Sequence, residues 1–387
     1  MSRALWMVGV LGCFGCSKSI VFLDNVGEDV SGAPQWFDMG KAPKEDVVRS
    51  PYVLGAQTRL RVWARSGYNN LDAWSLESSD PEVVSVGERV DTSDDDSEFM
   101  EWALTAEGVG EAEIRAVDSR GEVADTVTLT VASPDSIRLV PTGASRVGRS
   151  DIEVSDPVVV ASGSVTVEFY EGEERLWGGL DNSAIVVTDA EVDPENPAPS
   201  LYGLTAPVYH ESVSRNDFTI SYVDGATDTA AAEGTVSASL YTLEGEPVFE
   251  LSAPLSVSPG AEGVIADVEL LVSDEGSAVK RQVMGVYPHA TTESGEIVLG
   301  ATVSWQADDL EIGDGTTGQT DFLEYNYDES EELEILATWP GGSTSTTIHG
   351  ENPRAVVSSA ACQTGPGVGG LMALSSAVTL LIRRRRR

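Results

Sequence analysis

Three cysteines, three histidines and 63 acidic side chains are the groups in this 387-residue chain that could do chemistry. The cysteines are Cys13, Cys16 and Cys362, all near the ends, with none between positions 17 and 361. A disulfide framework would place pairs inside the body, so these thiols point to processing rather than stapling. The histidines, His210, His289 and His349, are scattered along the chain. A His-dependent triad needs a histidine, an orienting acid and a nucleophile to converge, and nothing in the spacing supports one. There is no Gly-x-Ser-x-Gly elbow, His-Glu-x-x-His or Gly-x-x-x-x-Gly-Lys loop. These absences point away from an enzyme.

Two acidic loops offer oxygen ligands. "DTSDDDSE" supplies Asp94, Asp95 and Asp96, and "ADDLEIGDGTTGQTD" supplies Asp309 and Asp314. Calcium wants six to eight oxygens on a turning backbone. Neither loop has the spaced ligands and closing Glu of an EF-hand. In a chain this acidic a charged hairpin loop is the expected background, so the sequence implies no metal and no cofactor. Paired carboxylates could also cleave sugars, yet with so many acids a pair is expected by chance. Trp177, Tyr202, Tyr209, Tyr325 and Tyr327 could stack on a glycan. Aromatics favour strands in any case, and core or edge positions are the commoner reading.

The formal net charge is −39. Such a surface repels nucleic-acid backbones and anionic lipid headgroups. Nucleic acid is therefore excluded as a partner, and membrane contact requires an anchor. Both ends supply one. "MSRALWMVGVLGCFGCSKS" has Arg3, an apolar run from Ala4 to Leu11, then small residues and cysteine, the order of a secretory signal over 1–16. It resembles a bacterial lipoprotein signal, which implies a lipid on Cys13 or Cys16. Val10-Leu11-Gly12 before Cys13 fits the core of that motif, whereas Cys16 gives the better length. At the other end, Gly365 to Ile382 is 18 residues without a charge. As a helix it would rise roughly 27 Å, about the hydrocarbon thickness. Arg383, Arg384, Arg385, Arg386 and Arg387 follow it and would stay cytoplasmic. Cys362, the Thr364-Gly365-Pro366-Gly367 break, the apolar run and the arginine cluster resemble the myxobacterial C-terminal sorting signal. That resemblance implies cleavage near Cys362 and display at the cell surface.

The elements between the ends read as strands. "TRLRVWA" puts Leu60 and Val62 on one face and Arg59 and Arg61 on the other, the period of a half-buried strand. Short strands separated by turn signals continue to Val131, which indicates a β-sandwich. "WSLESSDPEVVSV" and "LTAEGVGEAEIRAVDSRGEVADTVTLTV" resemble the bacterial Ig-like domains of intimin-type surface proteins. The resemblance implies a seven-strand sandwich with Trp74, Leu76, Val86, Leu104, Ile114 and Leu129 in its core. It also implies a spacer or adhesive role and brings no catalytic residues. Two weaker sets of the same pattern follow, around "SGSVTVEFYEGEERLWG" and "IVLGATVSW".

The expected fold is all-β: tandem Ig-like β-sandwiches with a C-terminal hydrophobic helix. The expected organisation is a signal over 1–16, a linker over 17–49, Ig-like units over 50–134, 135–258 and 259–350, a linker with Cys362 over 351–364, and a transmembrane or sorting tail over 365–387. Interfaces between units are expected to be small and to permit relative motion. The function this implies is an exported, membrane-anchored surface protein of the cell envelope, outer membrane or cell surface. Its partner would be a surface protein or a glycan. The alternatives are a subunit of an envelope or secretion assembly, pairing by sheet edges, and a carbohydrate-active accessory protein.

Overall fold

The computed structural model describes residues 20–24, 48, 50–64, 74–90, 99–180, 184–189, 202–204, 208–210, 215–222, 232–242, 245–261, 263–272, 281–307, 310–317, 321–326 and 332–349. The fold is all-β, with one short helical turn among the described residues.

The first part contains β1 (Ile20–Asp24), β2 (Tyr52–Val53), β3 (Gln57–Ala64), β4 (Ser75–Ser78), β5 (Val84–Val90), β6 (Phe99–Ala106), β7 (Gly110–Val117) and β8 (Val123–Ala132). The strand orders are β1-β3-β6-β5 and β2-β8-β7-β4. With β1 as A, β2 as A′ and β3 to β8 as B to G, these are the A-B-E-D and C-F-G sheets of an Ig sandwich, with A′ added on G. β1 lies inside the span read as linker. Its run of Ile, Val, Phe and Leu favours extended backbone, and it pairs antiparallel with β3 from Ile20↔Ala64 to Asp24↔Leu60.

Leu60 and Val62 are buried, as are Trp74, Leu76, Leu104, Ile114 and Leu129; Val86 is partly buried. Each fully buried aliphatic side chain contributes roughly 1.5–3 kcal/mol. On the opposite face of β3, Arg59 and Arg61 both meet Glu101 of β6, at 2.9 and 2.5 Å. Glu101 is only 2% exposed, so this face is a paired-charge layer and not an open surface.

The middle part contains β9 (Ser136–Pro141), α1 (Thr142–Arg146), β10 (Val158–Val159), β11 (Ser162–Glu171), β12 (Glu174–Leu176), β13 (Ile185–Asp189), β14 (Tyr202–Leu204), β15 (Val208–His210), β16 (Arg215–Tyr222), β17 (Ala232–Tyr241) and β18 (Pro247–Pro259). The same order recurs. β9-β11-β16 with β14 and β15 stands for A-B-E-D, and β13-β17-β18-β10 for C-F-G-A′. In both parts the A′ strand runs parallel to G.

The last part contains β19 (Asp267–Val272), β20 (Arg281–Thr291), β21 (Ile297–Leu299), β22 (Thr302–Ala307), β23 (Leu310–Thr316), β24 (Asp321–Asn326), β25 (Glu332–Trp339) and β26 (Gly342–His349). β19-β20-β24 form the A-B-E side, and β23-β22-β25-β26 form C′-C-F-G. The first of these is not a separate sheet. β21 pairs with β20 and with β10, so one eight-stranded sheet runs on past position 258.

The hydrophobic tail at 365–387 lies outside the described residues. Among the described residues no helix is long and apolar enough to cross a membrane.

Candidate functional site

The most elaborate constructions in the molecule are two seams, each centred on an A′ strand. At the first, β2 pairs with β8 of its own sandwich, and its other edge meets the loop after β12. Val53 N–H donates to Trp177 O at 2.9 Å, Trp177 N–H to Pro51 O at 2.8 Å, and Gln57 N–H to Gly179 O at 3.1 Å. Asn216 on β16 fixes that loop by mimicking a peptide group. Its Oδ1 accepts from Leu180 N–H at 2.8 Å and its Nδ2 donates to Leu180 O at 2.7 Å, with Asn216 itself buried. The Arg175 guanidinium stacks 4.1 Å above the Trp177 ring, a favourable cation–π geometry. Gly178 has φ +94°, and a Cβ there would stand 2.7 Å from Ala56 Cβ. Close approach and left-handed backbone both demand glycine.

At the second seam, β10 lies between β18 and β21, parallel to both. Val160 N–H donates to Leu299 O at 2.8 Å and Gly260 N–H to Val159 O at 2.8 Å. Gly300 has φ +84°, and a Cβ there would meet Ser162 O at 2.5 Å. α1 and its flanks pack across this seam: Val140 of β9, Ala144 of α1 and Val147 just after it cluster with Leu271 and Tyr287 of the last part. The units therefore meet through shared strands. Where small interfaces that permit motion were expected, the second seam is a two-residue strand inside one continuous sheet, and the first is a two-residue strand bonded to a loop.

Behind α1 lies a buried polar network. Glu168 accepts from Ser145 Oγ at 2.6 Å and from Tyr170 Oη at 2.8 Å, and pairs with Arg175 at 2.9 Å. Burial first, then the Glu168 charge, pushes the Tyr170 phenol up to about 12. Beside it Thr166 donates to Asp217 at 2.5 Å, and Arg146 stands 3.5 Å from the same carboxylate. The Glu168 oxygens are thus taken up by fixed partners, as buried carboxylates require. The network holds no histidine, and it braces α1 against β11.

His289 on β20 stands near the second seam, its ring centroid 6.2 Å from that of Tyr287. Its Nδ1 makes no hydrogen bond among the described residues. Burial holds its pKa below the usual 6.5; Arg149 pushes the same way, and Glu269, Asp151 and Asp267 oppose it. His210 ends β15 and His349 ends β26, so the three histidines stand on three strands.

A cavity of about 310 Å³ in the last part is lined by Ile265, Thr302, Ser304, Thr338, Trp339 and neighbours. Among the described residues its lining offers hydroxyls and an indole.

Of the sequence-predicted site residues, Cys13, Cys16, Cys362, Asp94, Asp95, Asp96, Asp309 and Arg383 to Arg387 lie outside the described residues. Asp314 sits in β23 opposite Ser304 of β22. Among the described residues no group of three or more His, Cys, Asp or Glu could hold a metal ion. Trp177 belongs to the first seam, packed on the core and under Arg175. Tyr202, Tyr209 and Tyr325 lie on β14, β15 and β24; Tyr327 is outside the described residues. The residues missed were Asn216, Gly178 and Gly300. One signal was available: Pro51-Tyr52-Val53 and Pro157-Val158-Val159 open the two seams with the same Pro-x-Val.

No family model and no curated protein matches this chain. Among solved structures it is similar to surface layer protein SbsC, domains 4-9, at 14% identity and a TM-score of 0.32, over 79% of this chain and 43% of that one. It is similar to the D00-D0 domain of intimin at 12% identity and 0.21, over 55% and 98%. It is similar to InvD of Yersinia pseudotuberculosis at 13% identity and 0.23, over 86% and 97%. The chain spans less than half of the SbsC fragment. Superpositions this loose carry no functional argument, and the Ig-like reading stands on the strand order.

Proposed function

We propose that this protein is an exported, membrane-anchored, non-enzymatic surface protein whose Ig-like units form a stiff spacer presenting loops to a surface protein or glycan. The observation that supports this most is the repeated seam. In both cases an A′ strand bonds to its own G strand on one edge and to the next unit on the other. Units on flexible linkers swing independently, whereas units sharing strands and hydrogen bonds move as one. The units of this reading are 50–134 with β1 (Ile20–Asp24) added, 135–258 and 259–350, so the shared strands bridge their boundaries. The terminal segments supply the export signal and the anchor, with Cys13, Cys16 or Cys362 as the processed positions.

Two measurements test the reading. Spin labels at Val123→Cys and Thr302→Cys, with the three native cysteines changed to serine, should give one narrow distance distribution. A broad distribution would reject the stiff spacer. Mass spectrometry of the mature protein from its host, grown with labelled fatty acid, should find lipid on one of the cysteines and no terminal arginines. An unlipidated chain ending in Arg387 would reject the anchoring scheme.

A further inference from the structure

The cavity of about 310 Å³ in the last sandwich falls in the size range of small-molecule sites. Strand alternation builds its polar side. On β22, Val303 and Trp305 are buried in the core, so Thr302 and Ser304 turn the other way. On β25, Ile335 and Ala337 are buried and Thr338 turns outward. The strand pairing sets Ser304 and Thr338 side by side. Thr338 Oγ1 donates to Ser304 O at 3.4 Å, a long bond that a closer acceptor can replace. Trp339 ends β25 and packs against the apolar cluster that holds Ile265 and Ala301.

The Trp339 wall of this cavity holds an unmet hydrogen-bond donor. The indole Nε1 is buried and makes no hydrogen bond among the described residues. A buried donor without an acceptor is unfavourable. The turn into β26 places Gly341 and Gly342 against the same ring. Neither has positive φ, so backbone conformation does not require glycine there. Clearance explains them. A Cβ on Gly341 would stand 3.0 Å from Trp339 Nε1 and 3.0 Å from Ile265 O, and one on Gly342 would stand 3.1 Å from the indole Cζ2. The indole donor and a carbonyl acceptor are therefore no more than two hydrogen-bond lengths apart, the span of one bridging hydroxyl.

We propose that this cavity is a binding site for one neutral sugar residue. The chemistry of the lining selects the class. An indole N–H only donates, so it calls for an acceptor and not for a cation. An anion is repelled by a chain of net charge −39, and the described lining residues include no basic side chain to offset that. Bridging Nε1 and the Ile265 carbonyl takes one atom that accepts from the first and donates to the second. A hydroxyl oxygen does both, whereas an amide nitrogen only donates and an amide oxygen only accepts, which disfavours a peptide. A sugar ring adds further hydroxyls for Thr302, Ser304 and Thr338, and C–H surface for Ile265 and Pro340. The inference rests on the glycan reading of the proposed function and names the site that would carry it.

The test titrates the full chain, isotope-labelled on nitrogen and held in a detergent without a sugar headgroup. The probes are the methyl glycosides of glucose, galactose, mannose and N-acetylglucosamine. The Trp339 indole signal, assigned by its loss in Trp339→Phe, should shift saturably with at least one of them. Gly341→Val fills the gap beside Nε1 and should raise the dissociation constant at least tenfold. Thr338→Val should raise it at least threefold, and Tyr241→Phe, in the middle sandwich, should leave it unchanged. The titration of the unaltered chain stands even where Gly341→Val fails to fold. Three results would overturn the proposal: no glycoside moves the signal up to its solubility limit, binding is indifferent to both Gly341→Val and Thr338→Val, or sodium glucuronate or N-acetylalanine methylamide binds more tightly than every glycoside. A null titration beside a narrow spin-label distance distribution would reject the sugar site and leave the stiff spacer standing.

Discussion

The first seam is closed by a loop and the second by a sheet. At the first, residues 177–180 are pinned by the Asn216 amide and by three backbone hydrogen bonds. Arg175, stacked over Trp177, stays protonated at any ordinary pH and is paired with the buried Glu168 carboxylate. At the second, β10 fills the gap between two strands of different units, and α1 braces it. His289, Asp151 and Arg149 gather there. One device has thus been built twice, once around an amide and an arginine ion pair and once beside a histidine. Mechanical coupling is common to both, and a response to histidine protonation should belong to the second alone.

The comparison can be broken most severely at Gly300. In Gly300→Val the new Cβ meets a backbone oxygen and the residue must hold positive φ, which should cost about 3 kcal/mol or more. Chemical denaturation should then show the last part melting apart from the rest. The counterpart at the first seam is Asn216→Ala. It strands the buried N–H and C=O of Leu180, at about 2 kcal/mol for the pair. Its denaturation profile should separate the first part from the others and leave the second seam intact. Gly178→Ala replaces a positive-φ glycine facing a side-chain methyl group and should cost about 1 kcal/mol. Equal destabilisation of both seams by any of these variants would show that they are not independent.

The smallest effect sharpens the contrast. His289 has a folded-state pKa lowered by burial. The unfolded chain therefore binds this proton more readily, and stability rises with pH across the interval. The contribution is complete above about 6.5 and is lost as pH falls from there toward the lowered folded-state value. Denaturation of the unaltered protein between pH 5 and 8 should show this slope at the second seam, and His289→Gln should flatten it. A slope that survives the substitution would assign it to other groups.

The sandwich itself was legible because periodicity is local. Leu60 and Val62 face the core because residues two apart share a face, and Ile114 and Leu129 follow the same rule. Val86 departs from it for a local reason. The pairing of β5 with β6 shifts register between Val86 and Arg89, and the strand turns away from the core just there. Arg59 and Arg61 were placed on the correct face, but only the structure shows Glu101 holding both. β1 was hidden by polar, Gly- and Pro-containing neighbours that read as linker. The seams were beyond reach for a different reason. A strand of two residues has no period to detect, and its partners lie far along the chain. The terminal cysteines, Asp94 to Asp96 and Asp309 fall outside the described residues, so the processing reading and most of the metal reading rest on the sequence alone, whereas Asp314 lies in β23.

The position of β10 also fixes an order of events during synthesis. Val158 and Val159 need Val298 and Leu299 on their second edge, and those residues leave the ribosome about 140 residues later, a delay of roughly 7–28 s at 5–20 residues per second. Until then the nascent middle sandwich presents an apolar strand whose second edge is uncovered, with only β18 able to pair with its first. A holdase that covers this edge, or a codon-level change in translation speed between residues 160 and 300, should therefore alter the yield of native protein without touching a single contact in the finished molecule.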